Sequence, residues 1–291
     1  MKELIYQMYI WTRDHILCYL NDEKYLKLIY RINCGKKLHL NPPVTFNEKL
    51  NWIKLYDRNP QYTIMADKYA AKEFVENRLG TDKYIVPCLG VYNSFDEIDF
   101  AKLPQQFVIK TTFDSSGVIV CRDKNQLDIA AAKEKIEKSM KRNYFLPSRE
   151  WPYKDIPHRI LVDTFLDNHT DHELTDYKFW CFNGEPKVVY VTNKGKNICE
   201  NFYDMEFNPL DIDHGFPRHH PEWDKPEDFE EMRDLAAKIS NGIPFVRVDF
   251  FYVERKIYFG ECTFFDWGGL RPFKSENWEK KLGDWIKLPV K

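Results

Sequence analysis

The chain has 291 residues, of which 43% are apolar, 30% charged and 16% aromatic, with only 12 glycines and 16 prolines. This excludes a collagenous, low-complexity or disordered chain, and the length allows one large domain or two lobes with a core that needs no disulfide or metal. Forty-three basic against 45 acidic residues leave a formal charge of −2, which gives no net attraction for nucleic acid.

The first 84 residues carry helical spacing, as in Leu4, Met8 and Trp11, then Ile16 and Leu20, then Leu26, Ile29 and Ile32, and are expected to form a helical N-terminal region. Thr45 followed by Glu48 fits a capping box, with Leu50, Ile53 and Tyr56 continuing an amphipathic helix that stops near Asn59-Pro60. A second helix is predicted over Ile64 to Arg78, closed by Gly80 in the left-handed conformation. From residue 85 the texture turns to short β-rich runs: Ile85 to Pro87, Val91 to Ser94, Phe107 to Thr111 and Val118 to Arg122, then a polar helix over Leu127 to Arg142. A Pro-rich aromatic stretch, Phe145 to Pro157, separates this lobe, residues 85–158, from a C-terminal lobe, residues 159–291, that begins with a strand over Arg159 to Leu166. Further strands are expected at Tyr177 to Phe182 and Lys187 to Thr192, around an Asn183-Gly184-Glu185 turn. Residues Asn208 to Pro226 read as an irregular surface loop and Phe229 to Ser240 as a helix. Strands at Phe245 to Val253 and Lys256 to Phe264 flank a Glu254-Arg255 turn.

Apolar runs such as Met8 to Trp11 and Val188 to Val191 fall far short of a bilayer span, and Met1-Lys2-Glu3 begins no secretory signal. A cytoplasmic location is therefore the expectation. Seven scattered cysteines without a C-x-x-C pair read as reduced thiols.

Three segments carry candidate chemistry. In Phe245 to Gly269, alternation places Arg247 and Asp249 on one face of a strand and Glu261 and Thr263 on one face of the next. Hard carboxylate oxygens suit Mg²⁺ and a guanidinium suits phosphate oxygens, although a plain cross-strand ion-pair cluster fits the pattern equally well. In Phe107 to Val120, Lys110 ends a strand before a Ser/Gly turn, where backbone N–H groups can cover phosphates. It is not a P-loop, since G-x-x-x-x-G-K is absent. In Glu173 to Val189, Asp176 and Lys178 alternate with aromatics. Lesser candidates are His169 to Glu173 and His219-His220 as metal ligands, and Asp211-Ile212-Asp213 as the D-x-D of a metal-using glycosyltransferase.

Lys110 before its Ser/Gly turn, Asp176-Tyr177-Lys178-Phe179, Arg247-Val248-Asp249 and Phe259-Gly260-Glu261-Cys262-Thr263-Phe264 occur in an order that resembles the ATP-grasp enzymes. Together with NPPVTFNEKLNWIKLYD, MADKYAAKEFV, SREWPYK, RILVDTFL and KLGDWIKLP, the chain most closely resembles the TupA-like ATP-grasp family, associated with bacterial teichuronopeptide and capsular polysaccharide synthesis. The resemblance implies an α+β fold in which two lobes grip ATP, with a helical N-terminal extension. It implies phosphate contacts from Lys68, Lys110 and Lys178, and a covering loop at Asp114, Ser115, Ser116 and Gly117. It implies a nucleotide-reading hinge near Asp163, Arg247 meeting an acyl phosphate, and Mg²⁺ ligands at Asp249 and Glu261, with Thr263 where broader ATP-grasp enzymes place an asparagine. Phe113, Ser116 and Asp163 stand where the family texture has His, Gly and Glu.

The implied activity is a carboxylate-amine ligase that activates a carboxylated saccharide or glycan precursor as an acyl phosphate and joins it to an amine or amino acid. Such an enzyme would act beside the polysaccharide-synthesis machinery without spanning the membrane. Two other readings stand beside it: a sugar-nucleotide glycosyltransferase using Asp211 and Asp213, and a non-catalytic carbohydrate-binding module.

Overall fold

The computed structural model describes residues 2–167, 174–193 and 198–290, with side chains from Gln7 onward. Five helices come first: α1 (Lys2–His15), α2 (Asp22–Cys34), α3 (Phe46–Tyr56), α4 (Gln61–Ala66) and α5 (Ala70–Leu79). Helix α3 starts on the expected capping box of Thr45 and Glu48, and α5 ends on Gly80 at φ 73°. The single helix expected over Ile64 to Arg78 is divided. Asp67 Oδ1 accepts from the N–H groups of Tyr69 (2.9 Å) and Ala70 (3.3 Å), capping a new start. The Lys68 N–H meanwhile leaves the helix to donate to Thr112 O at 2.9 Å.

The smaller sheet contains β1 (Cys88–Tyr92), β2 (Phe107–Thr111), β3 (Val118–Cys121) and β4 (Ile160–Thr164), in the order β1-β4-β2-β3 and antiparallel throughout. One face packs Phe107, Ile109, Ile160 and Val162 against Ala132 and Ile136 of α6 (Ile129–Met140). The other face presents Val108, Lys110, Val118, Val120 and Asp163. Strand β4 follows the break expected at residue 158, yet it pairs with β1 and β2. Its alternating Ile160 and Val162 complete the core of the smaller sheet, so the chain crosses to the larger one only after Thr164.

The larger sheet has the order β10-β9-β5-β6-β7-β8, formed by β5 (Asp176–Phe182), β6 (Glu185–Thr192), β7 (Glu200–Tyr203), β8 (Pro209–Leu210), β9 (Phe245–Val253) and β10 (Lys256–Thr263). The β5-β6 turn has Asn183 at φ 53° and Gly184 at φ 84°, and the β9-β10 turn has Glu254 at φ 50° and Arg255 at φ 60°. Two successive left-handed residues give the mirror-image turn whose twist matches paired strands. The back face buries Phe179, Val246, Val248 and Phe250 beneath α7 (Phe229–Ser240), with Phe179 against Phe229 at 5.6 Å. One end of the front face is closed by an aromatic cluster in which Trp180 meets Phe46 of α3, Phe202 and Phe273. Such pairs add about 0.5–1.5 kcal/mol each beyond area burial. Helix α8 (Glu276–Trp285) packs beside α3. No described helix is long and apolar enough to cross a membrane.

Candidate active site

The open face of the smaller sheet and the free end of the larger sheet's front face enclose a cleft of about 480 Å³. Val86, Val108, Val120, Phe165 and Leu166 line it together with the charged Lys68, Lys110, Arg122, Asp163, Asp176, Lys178, Asp249 and Glu261.

The charged row on the larger sheet is set by register. Lys178 of β5 lies opposite Asp249 of β9, which lies opposite Glu261 of β10, so the three side chains stand on one face of adjacent strands. Lys178 Nζ reaches Asp249 Oδ2 at 2.5 Å and Asp176 Oδ2 at 3.2 Å. Burial pulls the Lys178 ammonium down, but the charges of Asp176 and Asp249 outweigh it and hold its pKa above the ordinary lysine value. Arg247 donates from Nε to Asp249 Oδ1 (2.7 Å), from Nη2 to Glu261 Oε1 (3.0 Å) and from Nη1 to Asp266 Oδ1 (2.5 Å). Buried but ringed by carboxylates, its pKa lies well above the usual arginine value. Thr263 Oγ1 donates to Glu261 Oε1 at 3.4 Å.

Across the cleft, Lys110 Nζ pairs with Asp163 Oδ2 at 2.7 Å, and Lys72 Nζ from α5 reaches Asp163 Oδ1 at 3.0 Å. Burial lowers the pKa of Lys72 despite Asp163, and that of Lys68 likewise, where Lys110 adds to the effect against the pull of Glu261. Lys68 Nζ donates to the Asp114 carbonyl. Asp114 is buried and acts as the latch of its own loop. It accepts from the Thr111 and Ser139 hydroxyls, from Ser116 Oγ (3.0 Å) and from the Gly117 N–H (3.0 Å). Burial raises this carboxyl's pKa, but the hydrogen bonds prevail and hold it below the ordinary aspartate value. A Cβ on Gly117 would stand 2.4 Å from Thr111 Oγ1 and 2.5 Å from Ser139 Oγ, so only glycine fits. Phe113 is buried and stacks on His158 at 3.6 Å.

Of the residues singled out in the sequence, Lys68, Lys110, Ser115, Asp163, Lys178, Asp249 and Glu261 converge on this cleft. Asp114, Ser116, Gly117, Arg247 and Thr263 stand behind its walls. Asp211 and Asp213 line a second cavity and hold Arg218 (3.5 Å) and Lys274 (2.6 Å). His219 Nδ1 contacts Pro221 O at 2.6 Å. His169 to His172 and Glu173 lie outside the described residues. Lys72 escapes a reading of the sequence, its one faint signal being that it falls four residues after Lys68. Asp266 reads in the sequence only as the start of the Asp266-Trp267-Gly268-Gly269 turn after the Glu261 strand, a turn placed to shape an acceptor site, and its ion pair with Arg247 is not legible there.

Among the described residues no group of three or more His, Cys, Asp or Glu is arranged to hold a metal ion. Asp249 and Glu261 nevertheless fit Mg²⁺ in their chemistry: they offer hard oxygens without competing thiol or imidazole, and Mg²⁺ in phosphoryl-transfer sites takes only one or two carboxylates beside substrate phosphate.

The D-alanine–D-alanine ligase of Helicobacter pylori is similar at TM-score 0.46 and 14% identity, covering 83% of this chain and 69% of that one. The D-alanine–D-alanine ligase of Bacillus anthracis, complexed with ATP, gives 0.41 and 13%, covering 77% and 58%. The VanG D-Ala:D-Ser ligase of Enterococcus faecalis gives 0.42 and 15%, covering 69% and 52%. The chain thus spans little more than half the length of the last two. No curated protein matches it. The sequence model of the TupA-like ATPgrasp family matches residues 48–287, well over half of the chain, which therefore belongs to the TupA-like ATP-grasp family and has the α+β ATP-grasp fold.

Proposed function

We propose that this protein is an ATP- and Mg²⁺-dependent carboxylate-amine ligase that joins an amino acid or other amine to a uronic-acid-type saccharide or its precursor. The reading rests on one observation above all: the Lys178-Asp249-Glu261 row and the lysines Lys68 and Lys110 line one cleft together with the apolar side chains Val86, Val108, Val120 and Phe165. A purine base suits Val86, Val108, Val120 and Phe165, and a polyphosphate suits the three lysines. Asp249 and Glu261 would hold Mg²⁺, which when bound neutralises charge on the phosphate oxygens.

In the first step a substrate carboxylate oxygen bonds to the γ-phosphorus of ATP as the β–γ bridging bond breaks and ADP leaves. In the second, the amine nitrogen bonds to the acyl carbon. Phosphate then leaves with the C–O bonding pair, and the nitrogen gives up its proton. Lys178 and Lys110 position and neutralise the transferred group. Arg247 is bound to Asp249 and Glu261 on one side and to Asp266 on the other, so it would hold both carboxylates from behind the cleft wall and would reach the acyl phosphate that the family resemblance implies only by exchanging one of these ion pairs. Ser115 and its loop, latched through Asp114, would keep water from that intermediate.

The test is thermal unfolding with Mg²⁺ plus ATP, ADP or UDP-sugars, followed by hydroxylamine trapping of acyl phosphate with glucuronate or galacturonate. At 100 times its Kd an adenine nucleotide adds about 2.7 kcal/mol, a shift of a few degrees, which Lys110→Ala should abolish. Asp249→Asn and Glu261→Gln should remove ATP-dependent hydroxamate formation. Stabilisation by a UDP-sugar alone, dependent on Asp213, would overturn the reading in favour of a glycosyltransferase.

A further inference from the structure

Helix α3 buries a polar stripe. Asn47, Asn51 and Lys54, at positions i, i+4 and i+7, share one side of the helix and are at most 1% exposed, where a helix facing a core ordinarily presents apolar side chains. The stripe binds the backbone of a single turn. Asn47 Nδ2 donates to Arg271 O at 2.8 Å, Asn51 Nδ2 to Gly269 O at 2.8 Å and Lys54 Nζ to Gly268 O. Lys54 spends its other two protons on Asn51 Oδ1 (3.2 Å) and Ser148 O (2.8 Å), so none of its three hydrogen-bond partners carries a charge.

The turn is one that needs holding. It begins at Asp266, just beyond β10, and runs through Trp267 (φ 48°), Gly268 (φ 64°) and Gly269 (φ 59°). Three successive left-handed residues, one of them a tryptophan, persist only where their surroundings over-determine them. The turn lies so close to α3 that a Cβ on Gly269 would stand 3.0 Å from Leu50 Cβ and 3.2 Å from Asn51 Nδ2. What this placement delivers is Asp266. Its buried Oδ1 accepts from Arg247 Nη1 at 2.5 Å and from the Tyr190 hydroxyl at 3.2 Å, while the other side of the same guanidinium holds Asp249 and Glu261.

We propose that the Asn47-Asn51-Lys54 stripe is a positioning device for Arg247: it fixes the Asp266 turn, and Asp266 sets the guanidinium that aligns Asp249 with Glu261. None of the three lines the cleft, so they act through the turn alone. What the aligned carboxylates do rests on the ligase reading above, whereas the linkage of Lys54 to Arg247 rests on the geometry. Alkaline pH should loosen it. Burial pulls Lys54 down from the ordinary lysine value to about 8, against the titratable groups that face it, Glu150 from the segment after Ser148 and Cys34 from the end of α2. Glu150 in turn accepts from Ser148 Oγ at 2.5 Å and feels Asp266 and Arg247. A neutral amine keeps two N–H donors for its three acceptors and turns a lone pair toward one of them.

NMR of ¹⁵N-labelled protein between about pH 6 and 10, following the Lys54 ammonium and the Arg247 Nε–H together, tests this. Both signals should move with one midpoint near 8. Glu150→Gln, which keeps the shape but removes a charge that favours the ammonium, should lower that midpoint equally in both. Lys54→Met should leave the Arg247 signal without its transition and lower kcat for ATP-dependent hydroxamate formation by up to roughly 100-fold, the cost of a misplacement on the order of 1 Å, with KM for ATP unchanged. A Lys54 that only fills the core would reduce the yield of folded protein without moving the Arg247 signal. An Arg247 signal that ignores the Lys54 titration, in the wild type and in Glu150→Gln, overturns the proposal whether or not Lys54→Met folds. So does folded Lys54→Met with wild-type kcat. Linked signals in protein that forms no hydroxamate would uphold the positioning device and sink the ligase reading.

Discussion

Asp163 offers the sharpest test of how the cleft holds Lys110. Its side chain is 2% exposed and lies between Lys110 at 2.7 Å and Lys72 at 3.0 Å, whose side chains are 19% and 13% exposed. Asp163→Asn keeps the shape but removes the charge that both ammonium groups need, and the new amide turns at least one N–H donor toward a lysine that is itself only a donor. Removing one partner from a buried ion pair costs roughly 3–5 kcal/mol, which for a chain of this size lowers Tm by roughly 5–8 °C. The same change frees Lys110, so Mg²⁺ and ADP should restore more stability to the variant than to the wild type, because phosphate no longer competes with Asp163. Thermal unfolding with and without Mg²⁺ and ADP measures both quantities. A variant as stable as the wild type would refute the ion-pair argument. A smaller nucleotide increment would show that Asp163 contacts the nucleotide itself, as the family resemblance implies, rather than acting through Lys110.

Gly117→Ala should cost roughly 2–3 kcal/mol by overpacking and expose the amides of Ser116 and Gly117 to faster hydrogen exchange, since the added methyl displaces the hydroxyls that latch Asp114; stability within 0.5 kcal/mol of wild type would contradict the close approach. Glu200, raised by burial from 4.5 to about 7, keeps its proton longer in the folded chain than in the unfolded one, so it withdraws stability as pH rises from 4.5 through 7. Glu200→Gln should therefore gain on the wild type by up to roughly 3 kcal/mol between pH 5 and 8 in denaturant titrations, and a flat difference would count against the burial. His214 has the opposite sign: burial, aided by Arg271 and Arg247 against Asp266, lowers it from 6.5 to about 4. The folded chain then resists its protonation, stability is lost as pH falls from 6.5 toward 4, and His214→Gln should flatten that acid limb.

Local chemistry made much of this legible in the sequence. The capping box at Thr45 and Glu48, the helix over Phe229–Ser240 and the hairpins turning at Asn183-Gly184 and Glu254-Arg255 all come from short-range preferences that the tertiary structure satisfies. What the sequence hid depends on partners far along the chain. Periodicity runs through Asp67 without a break, and only the hydrogen bond of Lys68 N–H to Thr112 O, with Asp67 as a new cap, divides the helix. Strand β7 is only four residues long and fully buried, so it has no alternation to reveal it. Lys72 looks like an ordinary helix lysine until β4 brings Asp163 against it. The Asp114 to Gly117 loop read as a nucleotide cover, yet nothing local tells that Asp114 turns inward to hold it through Ser139 of α6.

The convergence of Asp249 and Glu261 shows how narrow the margin is. Counting back from the tight turn, Val253 faces Lys256 and Phe250 faces Phe259, and continuing that register would set Gly260 opposite Asp249. Glu261 and Thr263 would then point with Val248 and Phe250 into the core beneath α7, where two polar side chains have no place. One extra residue at Gly260 shifts the pairing so that Glu261 meets Asp249 and Thr263 meets Arg247, because a β-bulge exchanges the faces of everything beyond it. Glycine suits the position: a Cβ there would stand 3.1 Å from the Asp249 carbonyl and 3.4 Å from the Phe251 ring. The hydrophobic pattern enforces the shift as well, since it is the bulge that lets Phe259 and Cys262 both remain buried, although they are separated by three positions rather than two. The face of the sheet that carries Asp249 and Glu261 is thus selected by core packing on its other side.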